Sequence, residues 1–78
     1  MENHCIEEPF IIRSYQKAEL AHLYNPDMPL AAAMRKMRYW ILRNTELYEA
    51  MYQAGEAKGD HRYTRRQVRL IVEKLGEP

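Results

Sequence analysis

The 78-residue chain has one cysteine, no long apolar run and few residues that commonly carry chemistry. Its single cysteine, Cys5, excludes an internal disulfide and is consistent with a reducing compartment. No apolar run approaches the roughly 18 residues that a transmembrane helix needs. The N-terminal segment MENHCIEE also lacks the basic and then apolar regions of a secretory signal. We therefore expect a cytoplasmic protein with no membrane partner.

Metal-binding and catalytic patterns are also missing. The pair His4-Cys5 is adjacent, and His22 and His61 stand alone, so none has the spacing of a structural zinc site. Ser14, a candidate nucleophile, is better explained as a helix cap. A chain this short also leaves little volume for an enclosed pocket. We predict no catalytic residue, no metal, no cofactor and no small-molecule substrate.

Acidic residues are absent from two windows, 35–43 and 61–69, although the net charge is only +1. Together the windows hold eight basic residues and no carboxylate: Arg35, Lys36, Arg38, Arg43, Arg62, Arg65, Arg66 and Arg69. Solvated surfaces usually mix the two signs, so this distribution favours a polyanionic partner. The alternative is a solvated polar face with scattered ion pairs, such as Arg69 with Glu73 at i+4.

The segment 29–44, PLAAAMRKMRYWILRN, organises the predicted fold. Its apolar residues recur at helical spacing and predict a helix with a buried stripe. The stripe consists of Leu30, Met34, Met37 and Ile41, with Ala33 and Trp40 along one margin. A shorter helix over 15–24, capped by Ser14, precedes it, and Asn25-Pro26-Asp27 separates the two. Helix, short break and helix is the spacing of a helix-turn-helix, although any helical hairpin shares it.

Two further helices are predicted from their boundary residues. The pair Asn44-Thr45 caps a third helix over 45–54, which Gly55 ends. Thr64 opens the last helix and forms a capping box with Gln67. Apolar residues of this last helix recur at i, i+3, i+4 and i+7, which predicts one buried face.

Strand signals are few. The run Phe10-Ile11-Ile12 predicts a short strand that packs across the helices or pairs with a later edge. The polar loop 55–60 is either a linker or the tip of a small hairpin, with Arg62-Tyr63 as its returning edge. We therefore predict an all-α fold, a small four-helix domain with a helix-turn-helix core, with or without a minimal β wing. Residues 1–9 would form a flexible acidic leader and 10–78 a single domain.

Two segments resemble the DNA-binding region of MerR-type regulators. The match rests on Glu19-Leu20-Ala21 and Arg38-Tyr39-Trp40 in the predicted helix-turn-helix, and on Arg62-Tyr63-Thr64 before the last helix. The resemblance implies binding to DNA as a dimer, with the second helix in the major groove and a wing on the backbone. The chain departs from that family by the additional helix over 45–54, where those regulators run quickly into a wing.

A second resemblance extends over almost the whole chain. From Phe10-Ile11-Ile12-Arg13-Ser14-Tyr15 to Leu75-Gly76-Glu77-Pro78 the sequence is similar to a family of short proteins of unknown function from the Bacteroidetes. That resemblance implies a compact bacterial intracellular protein of about this length, and it implies no activity.

The predicted function is therefore non-enzymatic binding of duplex DNA, as a dimer or with a partner, because one small module makes few contacts. The expected DNA-contacting residues are Ala32, Arg35, Lys36, Tyr39 and Arg43 on the second helix, and Arg62, Arg65, Arg66 and Arg69 around the start of the last helix. The alternative is a protein-interaction module or a homodimeric accessory protein without nucleic-acid binding. In that case an exposed apolar patch would join Leu70 to Leu42.

Overall fold

A computed structural model describes residues 9–78, so the predicted acidic leader, apart from Pro9, lies outside the described residues. Within that range the chain forms four helices and a two-stranded sheet, which confirms a small, mainly helical domain. The elements are β1 (Tyr15–Gln16), α1 (Lys17–Tyr24), α2 (Leu30–Arg43), α3 (Thr45–Met51), β2 (Arg62–Tyr63) and α4 (Arg65–Leu75). No helix found in residues 9–78 has both the length and the apolar character needed to cross a bilayer.

The predicted strand over Phe10-Ile11-Ile12 is wrong. Phe10 instead stacks on the Tyr15 ring with the ring centroids 5.4 Å apart, and Ile12 packs against the core without joining a sheet. The strand β1 lies a few residues later and pairs antiparallel with β2, so that Tyr15 is opposite Tyr63. The edge expected at Arg62-Tyr63 is confirmed, but it pairs with the beginning of the domain and not with a local hairpin strand.

Ser14 does not cap α1. Its hydroxyl donates to the backbone oxygen of Tyr63 (2.8 Å) and accepts from Arg62 Nε (3.2 Å), so it fastens the two strands. The helix begins only at Lys17, whose backbone N–H donates to the backbone oxygen of His61 (2.8 Å). Pairing with β2 therefore holds the residues after Ser14 extended and delays the start of α1.

The buried side of α2 is rotated from the predicted stripe. Met37 and Ile41 are buried as expected, but Leu30 and Met34 remain 47% and 39% exposed. Ala33, predicted at the margin, is completely buried instead. Because a small side chain lets two helices approach closely, the side of α2 that carries Ala33 faces the core more fully than the side that carries the longer Leu30.

The boundaries of the last two helices follow from side-chain caps. The Asn44 side chain accepts from Leu47 N at 3.0 Å, and the capping box of Thr64 and Gln67 is present as predicted. The third helix ends at Met51, three residues before the predicted Ala54. The Met51 carbonyl accepts instead from the buried Gln67 amide at 2.7 Å, which ties the end of α3 to α4.

Candidate nucleic-acid interface and adjacent basic groove

The predicted contact residues of α2 lie on its outer side. Arg35, Lys36, Tyr39 and Arg43 are exposed, and Ala32 is half-buried in the first turns. The helix contains no carboxylate, and none of its basic side chains forms an ion pair with a carboxylate of residues 9–78. This side of α2 therefore presents a concentrated positive charge.

Aromatic neighbours support two of these basic side chains. Arg43 Nη1 donates to the Tyr39 hydroxyl at 2.7 Å, and its guanidinium lies 5.3 Å from the centre of that ring. The Lys36 ammonium lies 5.4 Å from the centre of the half-buried Trp40 ring. Cation–π contacts of this kind orient a basic side chain without neutralising its charge. Arg43 and Lys36 therefore keep the positive charge needed to bind a phosphate.

The predicted residues around the start of α4 divide into two groups. Arg65 and Arg69 are exposed, and the predicted pair of Arg69 with Glu73 does not form an ion pair. The Arg62 side chain is bonded to the hydroxyl and the backbone oxygen of Ser14, at 3.2 and 3.4 Å. All three arginines are exposed, but the Arg62 guanidinium is already hydrogen-bonded within the protein.

Arg66 is a structural arginine. Its guanidinium donates twice to Glu56, at 2.7 and 2.9 Å, and once to the Ala50 backbone oxygen at 2.8 Å. Hydrogen bonding to Arg66 lowers the pKa of the Glu56 carboxyl to about 2, and the same bond raises the pKa of Arg66. These hydrogen bonds hold the loop after α3 against α4. The guanidinium of Arg66 therefore has a structural role in place of the DNA contact predicted from the sequence.

The two predicted sets stand on helices that pack on different main partners. α2 packs mainly on α1 and α3, whereas α4 packs on α3 and β2. The main packing contacts therefore link α2 to α4 through α3. A different set of cations lines a groove beside α2.

A groove of about 390 Å³ lies between α1, α2, α3 and the loop before β2, and we call it the basic groove. Four cations line it: Lys17, Arg35, Arg38 and Lys58. Of these, only Arg35 is in the predicted contact set. The other three come from separate elements and have no common spacing in the sequence, so local pattern reasoning could not group them.

Aromatic rings form one wall of the basic groove. The Tyr48 and Tyr52 rings lie 5.3 Å apart, and the Lys58 ammonium sits 5.0 and 5.6 Å from their centres. Lys17 Nζ donates to the Lys58 backbone oxygen at 3.1 Å and lies 5.4 Å from the centre of the Tyr63 ring. Burial raises the pKa of the Tyr52 hydroxyl, while the charges of Lys58 and Arg38 act in the opposite direction.

A shallower depression lies at the other flank of α2. Its lining includes Tyr39, Trp40 and Arg43 together with the acidic Glu46 and Glu77, so its charge is mixed. Mixed charge makes it a weaker candidate for a polyanion than the outer side of α2 or the basic groove.

Comparisons with known proteins identify a family but not an activity. No three His, Cys, Asp or Glu side chains gather into a potential metal site in the part of the chain that the structure describes. No curated protein and no solved structure matches the sequence. One family model, the domain of unknown function DUF4248, matches residues 11–78 and so covers most of the chain. The expected similarity to a family of unknown function is thereby confirmed, and the chain belongs to the DUF4248 family.

Proposed function

We propose that this protein binds duplex DNA without enzymatic activity, with α1 and α2 as a helix-turn-helix and α2 as the helix that enters the major groove. One observation carries the proposal: α2 exposes its arginine and lysine side chains, contains no acid, and pairs none of them with a carboxylate of residues 9–78. A helix face that only contacts water usually carries charges of both signs. The single sign of charge on this face therefore favours a polyanionic partner.

The shape of the helix pair supports the same mode. α1 and α2 pack together across the turn at residues 25–29, and α2 extends over about 21 Å. Ala31 is exposed and Ala32 half-buried near the beginning of α2, so a DNA surface can approach the helix backbone there. Recognition helices of this class contact base edges through residues near their N-terminal end. The resemblance to MerR-type regulators over α1 and α2 agrees with this orientation.

The outward residues take different roles in this proposal. Arg35 lies closest to the beginning of α2 among the basic residues of this helix, and it would donate to a guanine edge, the commonest specific arginine contact in a major groove. Lys36 and Arg43 lie farther round the helix and would contact phosphates, which position the protein without reading sequence. Arg65 and Arg69 on α4 would add backbone contacts beside the main interface.

Fluorescence anisotropy of a labelled random-sequence duplex tests the proposal. We expect the full chain to bind with an affinity that falls as salt rises, by a log–log slope of about −0.9 for each phosphate contacted. Arg35→Ala should weaken binding and reduce discrimination between sequences, whereas Lys36→Ala should weaken binding to all duplexes and make the slope shallower. Lys74→Ala is the control for loss of a surface charge alone, because Lys74 is an exposed cation whose ammonium is already paired with Glu46. Binding that is absent or insensitive to salt, or equal losses in Lys36→Ala and Lys74→Ala, would contradict the proposal.

A protein-interaction module is the second candidate, and exposed apolar side chains favour it. Leu42 and Leu30 on α2 are 45% and 47% exposed. Leu70, the other end of the patch expected from the sequence, is half-buried against the core, so of that predicted pair only Leu42 is exposed. Sedimentation equilibrium of the wild type and Leu42→Ser distinguishes the candidates. Self-association that Leu42→Ser abolishes, together with no DNA binding, would place this second function first.

A further inference from the structure

We propose that the basic groove binds a small organic anion, in which an aromatic or aliphatic body carries a carboxylate or a phosphate. This inference does not depend on DNA binding, since of the four cations that line the groove only Arg35 also belongs to the proposed DNA contacts. It concerns a ligand and not a substrate, because no histidine, cysteine, serine or carboxylate of residues 9–78 lines the groove.

The first argument is the sign of the charge. Four cations from α1, α2 and the loop before β2 line the groove, and no carboxylate of residues 9–78 is among its lining residues. The one carboxylate whose charge acts on the Tyr52 hydroxyl is Glu56, and Arg66 already holds both of its oxygens. A cleft lined by one sign of charge concentrates its field and draws in counter-ions. A bound anion would therefore supply the opposite charge, which no group among the described residues lining the groove supplies.

The second argument is the apolar character of the surface beside the charges. Met34 and Leu42 line the groove and keep 39% and 45% of their surface exposed, while Tyr48 and Tyr52 supply ring faces. A bare inorganic anion would leave these side chains in water. A ligand with both an apolar body and a charged end covers the apolar surface and reaches Arg38 at the same time.

The third argument is size and pre-organisation. A volume of about 390 Å³ is near the lower end of the range for small-molecule pockets, which run from roughly 300 to 1,000 Å³. The Lys17 bond to the Lys58 backbone fixes the loop, and the stacking of Lys58 on two tyrosine rings fixes its ammonium. Arg38 stands on the long helix α2. A ligand would thus meet cations that are already in place, which lowers the entropic cost of binding.

The test uses naphthoate, a planar ring system with one carboxylate, titrated into the isotope-labelled full chain while amide NMR shifts are recorded. We expect the largest shifts at Lys17, Arg38, Tyr52 and Lys58. Naphthylmethanol keeps the rings without the charge, and acetate keeps the charge without the rings. Naphthylmethanol should bind roughly tenfold more weakly than naphthoate, since a hydrogen bond to a charged group contributes about that factor. Acetate should also bind at least roughly tenfold more weakly, because it buries no ring surface.

Matched variants separate the groove from general surface charge. Arg38→Gln and Lys58→Gln should each weaken naphthoate binding by roughly tenfold, whereas Arg69→Gln, an exposed arginine outside the groove, should leave it unchanged. Thermal melting of each variant confirms that the fold is retained. The proposal is overturned by the absence of shifts, by shifts centred on another surface, by equal affinity for naphthylmethanol, or by equal effects of Arg38→Gln and Arg69→Gln.

Discussion

Arg66 and Arg35 show how differently two arginines from acid-free windows can be used. Arg66 donates hydrogen bonds to Glu56 and to the Ala50 carbonyl, whereas Arg35 has no carboxylate partner among residues 9–78. Sequence spacing could not separate them, because Glu56 lies ten residues before Arg66 in a loop whose path depends on the whole fold. The acid-free windows showed where basic residues are concentrated. They did not show which of these residues already have a carboxylate partner in the folded protein.

The Glu56–Arg66 pair should make stability depend on pH in acid. Because the folded state lowers the Glu56 pKa from 4.5 to about 2, it favours the ionised carboxylate. The stabilisation is therefore fully present above about pH 4.5 and is lost as the pH falls towards 2. Glu56→Gln should unfold more easily than the wild type near neutral pH, and the difference should shrink across that window. Urea unfolding at several pH values measures it.

Glu46→Gln is the control for this experiment. Glu46 also pairs with a cation, Lys74, but its side chain is 83% exposed, so its ion pair should contribute little to stability. If Glu56→Gln and Glu46→Gln have equal effects, or if the Glu56→Gln difference does not change with pH, the Arg66 clamp is not the source of the acid sensitivity.

At the scale of elements, the helices that were predicted well are those whose boundaries are local. Thr64 caps α4 and Asn44 caps α3 within three residues of sequence, so the cap could be read without knowing the fold. Ser14 has the same type of side chain but turns to Tyr63, which is remote in the sequence. The start of α1 was mispredicted because a tertiary hydrogen bond displaced a local one.

The capping box gives a prediction for α4. Thr64→Ala removes the acceptor for the Gln67 backbone N–H and should lower the free energy of unfolding by about 1 kcal/mol. Thr45→Ala is a matched control, because Thr45 lies at the beginning of α3 but the capping oxygen there belongs to Asn44. Chemical denaturation of both variants measures the difference. Equal stability of Thr64→Ala and the wild type would show that the cap contributes nothing.

At the scale of the whole molecule, the helical class was predictable and the site only in part. The outer residues of α2 followed from helical spacing, since a helix turns by a fixed angle per residue. The basic groove did not follow, because Lys17 and Lys58 reach it from an early helix and a late loop. The packing of α1 against α2 also rotated the buried stripe, which left Met34 at the surface that borders this groove.

The link between the two ends of the domain can be tested at Ser14. Ser14→Ala removes a bond to the Tyr63 carbonyl and an acceptor for Arg62, and it should destabilise the fold by about 1 kcal/mol. Ser14→Thr keeps a hydroxyl and should recover most of that stability. Urea unfolding measures both variants, and a Ser14→Ala protein as stable as the wild type would show that this link is dispensable.

The pairing of β1 with β2 also sets an order of events during synthesis. Tyr15 pairs with Tyr63, which is synthesised 48 residues later, so the sheet cannot form until nearly all of the domain has been translated. Contacts this remote along a chain form late and slow folding. Nascent chains that hold only α1 and α2 would lack the packing of α3 on α2 and of α4 on α3. The domain should therefore be most vulnerable to proteolysis and aggregation just before its last helix emerges.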